Sequence, residues 1–145
     1  MKISIASDHG GFYLKKEIWE ALQQKGHDVL DVGCMEPVSC DYIDYAVKAC
    51  HTVTQGEVEC AILVCGTGIG MSMAANKIRG IRAAVCSDCY SAKYTRLHNN
   101  ANALCLGARV VGTGLAMEIV ELFLHTEFEG GRHQARIDKI AALEE

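Results

Sequence analysis

The feature that most restricts this chain is the run over residues 61–76, where the apolar stretch AILVC passes through GTGIG into MSMAAN. Residues 61–64, two of them β-branched, read as a buried strand, and residues 71–76 are good helix formers. Between them Gly66, Thr67, Gly68, Ile69 and Gly70 make a turn whose backbone N–H groups point unpaired into one concavity at a positive helix end. Such a nest binds anions. Cys65 is the last residue before the turn, where those dipoles favour thiolate over thiol. A reactive cysteine and an anion hole are therefore expected in a single turn.

GTGIG is neither of two familiar nucleotide loops. The dinucleotide fingerprint would need glycine where Met71 stands, and a Walker A loop would need Gly-Lys-Ser/Thr.

The rest of the chain alternates strand and helix. Residues 2–6 (KISIA) read as a strand that turns through Ser7-Asp8-His9-Gly10-Gly11 into a helix over 12–25, with Leu14, Ile18, Ala21 and Leu22 at helical spacing and Gly26 as its stop. Residues 28–32 read as the second strand, and 34–40 as a loop holding the only proline. Asp41 is placed to cap a helix ending near Gln55-Gly56. Strand 60–65 precedes the nest. Strand 82–86, helix 91–98, strand 103–106, helix 115–124 and an amphipathic helix 132–145 complete the chain.

Five strands alternating with helices predict one α/β domain: a five-stranded parallel sheet with helices on both faces. Ligands in such sheets bind beyond the carboxyl ends of the strands. The candidate groups follow or precede strands: Asp8-His9 after the first, Cys65 and the nest after the third, His98-Asn99 before the fifth, Arg109 after it. All four loops are expected to converge on one rim.

Composition narrows the function classes. Of 145 residues, 50% are hydrophobic and 22% charged, and the formal net charge is −4, which lacks the basic footprint of a nucleic-acid binder. No apolar run approaches a membrane span, and Met1 leads directly into a strand, so a cytoplasm is the expected setting. In that setting eight cysteines read as reduced thiols. Cys86-Ser-Asp-Cys89 has C-x-x-C spacing, yet Cys86 belongs to a strand and no second pair completes a zinc set, so a structural role is expected. Asp8 can serve as a simple helix cap, Cys65 as a small core residue, and Arg132 and Arg136, at i and i+4, as solvated surface. Gly130-Gly131 upstream of the arginines instead points to a sharp turn that aims them, and paired arginines suit phosphate.

SDHGG (7–11), CGTGIGMSMAANK (65–77), GIRAAVC (80–86), HNNAN (98–102), GARVVG (107–112) and EGGRHQAR (129–136) together resemble the type B ribose-5-phosphate isomerases, a family that also includes galactose-6-phosphate isomerase subunits. The resemblance spans essentially the whole chain. It implies a three-layer Rossmann-like sandwich and an aldose–ketose isomerase acting on a sugar phosphate without metal or cofactor. Cys65 would be the base. The amides of Gly66, Gly68, Ile69 and Gly70 would hold the enediolate, where spacing alone would have placed the phosphate. His98, with Thr67, would open the sugar ring. Asp8, His9 and Asn99 would bind hydroxyls. Arg132 and Arg136 would hold the phosphate, helped by Arg109 and His9, with the helix from about 132 completing that site. The resemblance also implies a homodimer or dimer of dimers whose sites draw on both subunits.

One branch of the family carries a glutamate base just after the nest, where this chain has Met71, so the cysteine route is favoured. Cys40-Asp41-Tyr42-Ile43 departs from the usual Ser-Asp-Tyr-Pro, which bears on pocket shape around Tyr42 and on sugar length. An isomerase of a six-carbon phosphosugar, a non-catalytic phosphosugar sensor and a thiol oxidoreductase on Cys86 and Cys89 are the competing readings.

Overall fold

The computed structural model describes residues 1–144. Five parallel strands form one sheet: β1 (Lys2–Ser7), β2 (Asp28–Asp31), β3 (Cys60–Cys65), β4 (Ala83–Val85) and β5 (Ala103–Gly107), in the order β2-β1-β3-β5-β4. The helices are α1 (Phe12–Gln24), α2 (Tyr42–Thr54), α3 (Ile69–Ala75), α4 (Cys89–Asn99), α5 (Thr113–His125) and α6 (Arg132–Ala141). The result is a three-layer, Rossmann-like α/β sandwich.

β3 and β5, wholly buried, occupy the middle, as all-apolar strands covered on both faces must. Alternation along them sorts two cores. Ile62, Val64, Leu104 and Leu106 face Leu14, Ile18 and Leu22 of α1 and Ile119, Val120 and Phe123 of α5. Ala61, Leu63, Cys65 and Cys105 face Ala46, Ala49 and Cys50 of α2 and Met71 and Ala75 of α3. The second layer is built of small side chains, so its helices ride close to the sheet. Ser4 Oγ, itself buried, donates to the Ala49 carbonyl at 3.4 Å.

The chain leaves β1 toward β2 on one side and returns to β3 on the other. The switch in strand order therefore lies between β1 and β3, where Asp8 N donates to Val64 O at 3.3 Å. Gly11 fits here because a Cβ would strike the Val64 carbonyl oxygen. Lys15, 2% exposed, secures the neighbouring loop: its Nζ reaches Asp31 Oδ2 at 3.0 Å and the Cys34 carbonyl at 2.6 Å. A buried lysine on the apolar side of α1 is tolerated because both its charge and its donors are met.

Several boundaries move for local reasons. β2 ends at Asp31, although Val32 N still pairs with Ile5 O. Asp41 occupies the N-cap of α2 but its side chain caps nothing. α3 begins at Ile69, not Met71, because Gly68 takes a left-handed φ of +79° and turns the chain into the helix before the glycines end. α4 begins at Cys89 because Asp88 accepts from Ser91 N at 2.7 Å. The last helix stops at Ala141, and Glu145 of the predicted helix lies outside the described residues. Among the described residues no helix is long and apolar enough to cross a membrane.

Candidate active site

At the carboxyl end of the sheet, Cys65 closes β3 and the chain turns at once into the glycine loop. Gly68 N donates to Cys65 Sγ at 3.1 Å, so one peptide dipole of the loop already points at the sulfur. Cys65 is 4% exposed and packs on its inner side among the small residues beneath α2 and α3, while its sulfur is turned to the loop. Ile69 N donates to Thr67 Oγ1 at 3.3 Å. That bond uses the exposed Thr67 hydroxyl as an acceptor and leaves its O–H available to donate. Gly70 and Met71 belong to the first turn of α3, where amides have no carbonyl four residues back. The Met71 side chain is fully buried in the core. No acidic base stands at that position.

Neighbouring loops close around this turn. Arg109 N donates to Gly66 O at 3.0 Å, and the Arg109 guanidinium lies 3.2 Å from where a Gly66 Cβ would be. Asp8, 7% exposed, accepts from Gly11 N at 3.1 Å and holds the short turn His9–Gly11, whose Gly10 packs on Gly66 N. His9 Nδ1 accepts from Cys40 N at 3.2 Å, which places the proton of a neutral ring on Nε2 and makes that nitrogen the donor for a ligand. The Tyr42 ring covers Gly70, where a Cβ would come within 2.5 Å of it. Ile43, half exposed, follows it in the first turn of α2. Asp8, His9, Tyr42, Cys65, Thr67, Gly66, Gly68, Ile69, Gly70 and Arg109 thus share one rim.

The expectation that His98-Asn99 joins that rim is corrected here. α4 starts at the carboxyl end of β4 and its eleven residues carry the chain back about 16 Å, the length of a strand. It ends at the opposite edge. Arg82, just ahead of β4, donates through Nε to Asn99 O and Asn100 O at 3.2 and 3.1 Å, and Asn102 O accepts from Ala61 N at the start of β3. A loop that precedes a parallel strand sits at its amino end, whereas Cys65 follows one.

Around His98 a second cluster forms. Its ring stacks on His133 at 4.1 Å between centroids and meets Tyr94 edge-on at 4.9 Å. Glu129 N donates to Leu97 O at 3.0 Å, which brings its carboxylate to both imidazoles: Oε2 is 3.7 Å from His98 Nε2 and 3.9 Å from His133 Nε2. Arg132 Nη1 lies 3.5 Å from Glu129 Oε1, so Arg132 belongs to this end too, and Arg136 follows one turn later on α6, exposed. Burial, then the charges of His98 and Arg132, hold His133 below its ordinary value. Glu129 and His133 are the residues that the motif reading passed over. The signal was their place beside Arg132 in EGGRH.

The remaining thiols differ from Cys65 in setting. Burial pushes Cys50 and Cys60 up to about 12 and Cys86 to about 11, and raises Cys105 well above its usual range. Cys89 Sγ bonds to Glu118 Oε2 at 3.6 Å on α5 while Cys86 is 2% exposed in the core, and both thiols are free.

Residues 3–140 match the family described as Ribose/Galactose Isomerase. The chain is similar to ribose-5-phosphate isomerase B of Escherichia coli strain K12, with 49% identity over 144 residues, 99% of this chain and 97% of that one. It is similar in structure to ribose-5-phosphate isomerase B of Clostridium thermocellum, with a TM-score of 0.98, 51% identity and coverage of 99% and 97%. It is also similar to ribose-5-phosphate isomerase B of Mycoplasma genitalium with bound ribulose-5-phosphate, with a TM-score of 0.94, 45% identity and coverage of 99% and 95%.

Proposed function

The chain belongs to the ribose/galactose isomerase family, and from that premise we propose that it interconverts D-ribose 5-phosphate and D-ribulose 5-phosphate with Cys65 as the base. Cys65 Sγ takes the proton from C2 of the open-chain aldose. The electron pair left behind forms the C1–C2 double bond as the C1=O π pair moves onto O1, giving an enediolate. Returning the proton to C1, with a proton passing between O2 and O1, yields the ketose. Every step is a proton transfer, so none calls for a metal or a cofactor.

The observation that carries this reading is the sulfur at the mouth of the glycine turn, 3.1 Å from Gly68 N. That contact aims a peptide dipole of the turn at the sulfur. Amides of the same turn are positioned for the oxyanion that develops on the sugar, a type of donor worth about 3–4 kcal/mol when removed from a comparable site. A positioned general base adds roughly 10²–10⁴-fold. Asp8, His9 and Arg109 are the neighbours available to the sugar hydroxyls and the phosphate.

The ring-opening group and the phosphate clamp come from elsewhere. His98 and Asn99 with Arg132 and Arg136 lie at the far end of the same protomer, so the reading requires a second copy that presents that end to the glycine rim. A homodimer, or a dimer of dimers, then has composite sites. Arg132 and Arg136, one turn apart, suit a phosphate dianion, and gripping it remotely holds C1 and C2 against the sulfur.

A coupled assay on ribose 5-phosphate with metal chelated is the test. Wild-type protein turns over under chelation, and Cys65→Ala loses about 10³-fold or more in kcat while still binding the phosphosugar. Wild-type kcat in Cys65→Ala ends the proposal. Because Ile43 stands beside Tyr42, kcat/KM on ribose 5-phosphate against allose 6-phosphate decides between five- and six-carbon substrates.

A further inference from the structure

We propose that Glu129, His98 and His133 form a zinc site that switches the enzyme off when filled. Their donor atoms all lie within 4.8 Å of one another. Two imidazoles and a carboxylate are the three-ligand set that zinc accepts in tetrahedral geometry with one position open.

The second observation is His133 itself. It is 5% exposed, and its Nε2 has no hydrogen-bond partner among the described residues. Buried polar nitrogens are almost always paired. This one is aimed at the Glu129 carboxylate from 3.9 Å, too long for a hydrogen bond, and the stacked His98 ring presents its own Nε2 to the same oxygen from 3.7 Å. An ion bonded at about 2.0–2.1 Å to each donor would bring them closer than they now stand. The adjustment needed is a tilt of two imidazoles about χ2, a broad and soft torsion. Glu129, though exposed, already faces both rings, because Gly130 and Gly131 at φ +72° and +57° fold the chain between it and α6. Arg132 holds Oε1 and leaves Oε2 to the ion, although its charge weakens the affinity for any dication.

Zinc on His98 Nε2 occupies the lone pair that ring opening would use. The inhibitory half of the proposal therefore rests on the reading of His98 given above, while the binding half does not. The experiment uses the full chain, reduced with a non-chelating phosphine. Zn²⁺ is titrated by calorimetry and Co²⁺ by visible absorption into wild type, Cys65→Ser, Glu129→Gln and His133→Gln.

One ion per protomer is expected, with tetrahedral Co²⁺ bands and no thiolate charge-transfer absorption. Cys65→Ser should bind unchanged, and the other two variants about tenfold or more weakly. Glu129 is partly exposed, so its variant keeps the test valid if His133→Gln fails to fold. Undiminished binding in Glu129→Gln, or a thiolate signature that Cys65→Ser abolishes, overturns the site. Zinc bound as described without loss of ribose 5-phosphate turnover overturns the switch and the role of His98, and leaves the site standing.

Discussion

The two ends of the sheet use glycine in opposite ways. At the carboxyl end glycines supply room: a Cβ on Gly70 would meet the Tyr42 ring at 2.5 Å, on Gly107 the Thr67 carbonyl oxygen at 2.6 Å, and on Gly66 the Arg109 guanidinium at 3.2 Å. At the amino end Gly130 and Gly131 have nothing within 4 Å and are needed for backbone angle instead, at φ +72° and +57°. One end is a crowded cradle of backbone packed around a sulfur. The other is a sharp turn that sends Arg132 and Arg136 outward on α6. The cradle can stabilise a transition state but has no paired cations for a phosphate. The turn has cations and imidazoles but no nest. On the proposed function, activity arises only where one protomer's cradle meets another's turn.

The strongest way to break that contrast is to mix subunits. Cys65→Ala and His98→Asn proteins are each expected to be inactive or nearly so on ribose 5-phosphate. Co-refolding them gives mixed dimers in which one of two sites carries both intact groups, so about a quarter of wild-type activity returns for random pairing. No recovery in verified mixed dimers would mean that one protomer holds the whole site.

The next effect separates the ends by substrate. A four-carbon aldose phosphate has its C4 oxygen esterified and cannot close a furanose ring, so nothing has to be opened. His98→Asn should lose roughly 10²-fold in kcat/KM on ribose 5-phosphate and keep near wild-type kcat/KM on a tetrose 4-phosphate. Cys65→Ala should lose both. Equal losses for His98→Asn on the two substrates would assign His98 to binding rather than ring opening.

Glycine substitutions sharpen the contrast at a smaller scale. Gly70→Ala displaces the Tyr42 ring from the nest, and kcat is expected to fall with little change in KM. Gly131→Ala forces a side chain into a conformation costing about 1–3 kcal/mol. It misdirects α6, so KM rises while kcat is kept. Steady-state kinetics of the two proteins side by side read the difference, and matching profiles would erase the distinction between cradle and clamp.

How much of this was readable from sequence follows the range of the interactions. The strand, nest and helix around Cys65 are set by neighbours, and β3 begins and ends where the pattern places it. Helix propensity penalises Gly70 and so starts α3 two residues late; the room needed under Tyr42 comes from a residue far away in sequence. The error over His98 has a different origin. His98-Asn99 reads as a loop before a strand, but a parallel sheet sends every such loop to the amino end, and pooling loops without regard to that direction merges two sites into one rim. Glu129 is invisible as a partner because the Glu129 N–Leu97 O bond and the fold of Gly130-Gly131, neither written in the local sequence pattern, bring it onto His98 and His133. Lys15 falls on the buried side of α1 with Ile18 and Leu22, a spacing that shows the burial but not the Asp31 that offsets it.

Acid should separate the two ends more gently. His27, at the amino end, lies 3.4 Å from the chain's own ammonium group and near His125, and burial followed by those charges holds it below its ordinary 6.5. Between that lowered value and 6.5 the unfolded chain binds more protons than the folded one, so its share of stability is intact above 6.5 and is lost as pH falls through that window. At the carboxyl end Asp88 caps α4, and its hydrogen bonds to Ser91 hold it below its ordinary 3.8. Its share is present above 3.8 and lost only as pH drops through its lower folded value. Amide protection factors near Met1, His27 and His125, corrected for the intrinsic pH dependence of exchange, should therefore fall as pH drops below 6.5, while those in the first turn of α4 hold until pH drops below 3.8. His27→Gln should flatten the first transition and Asp88→Asn the second, and simultaneous opening of both ends in wild type would show that one cooperative unit spans them.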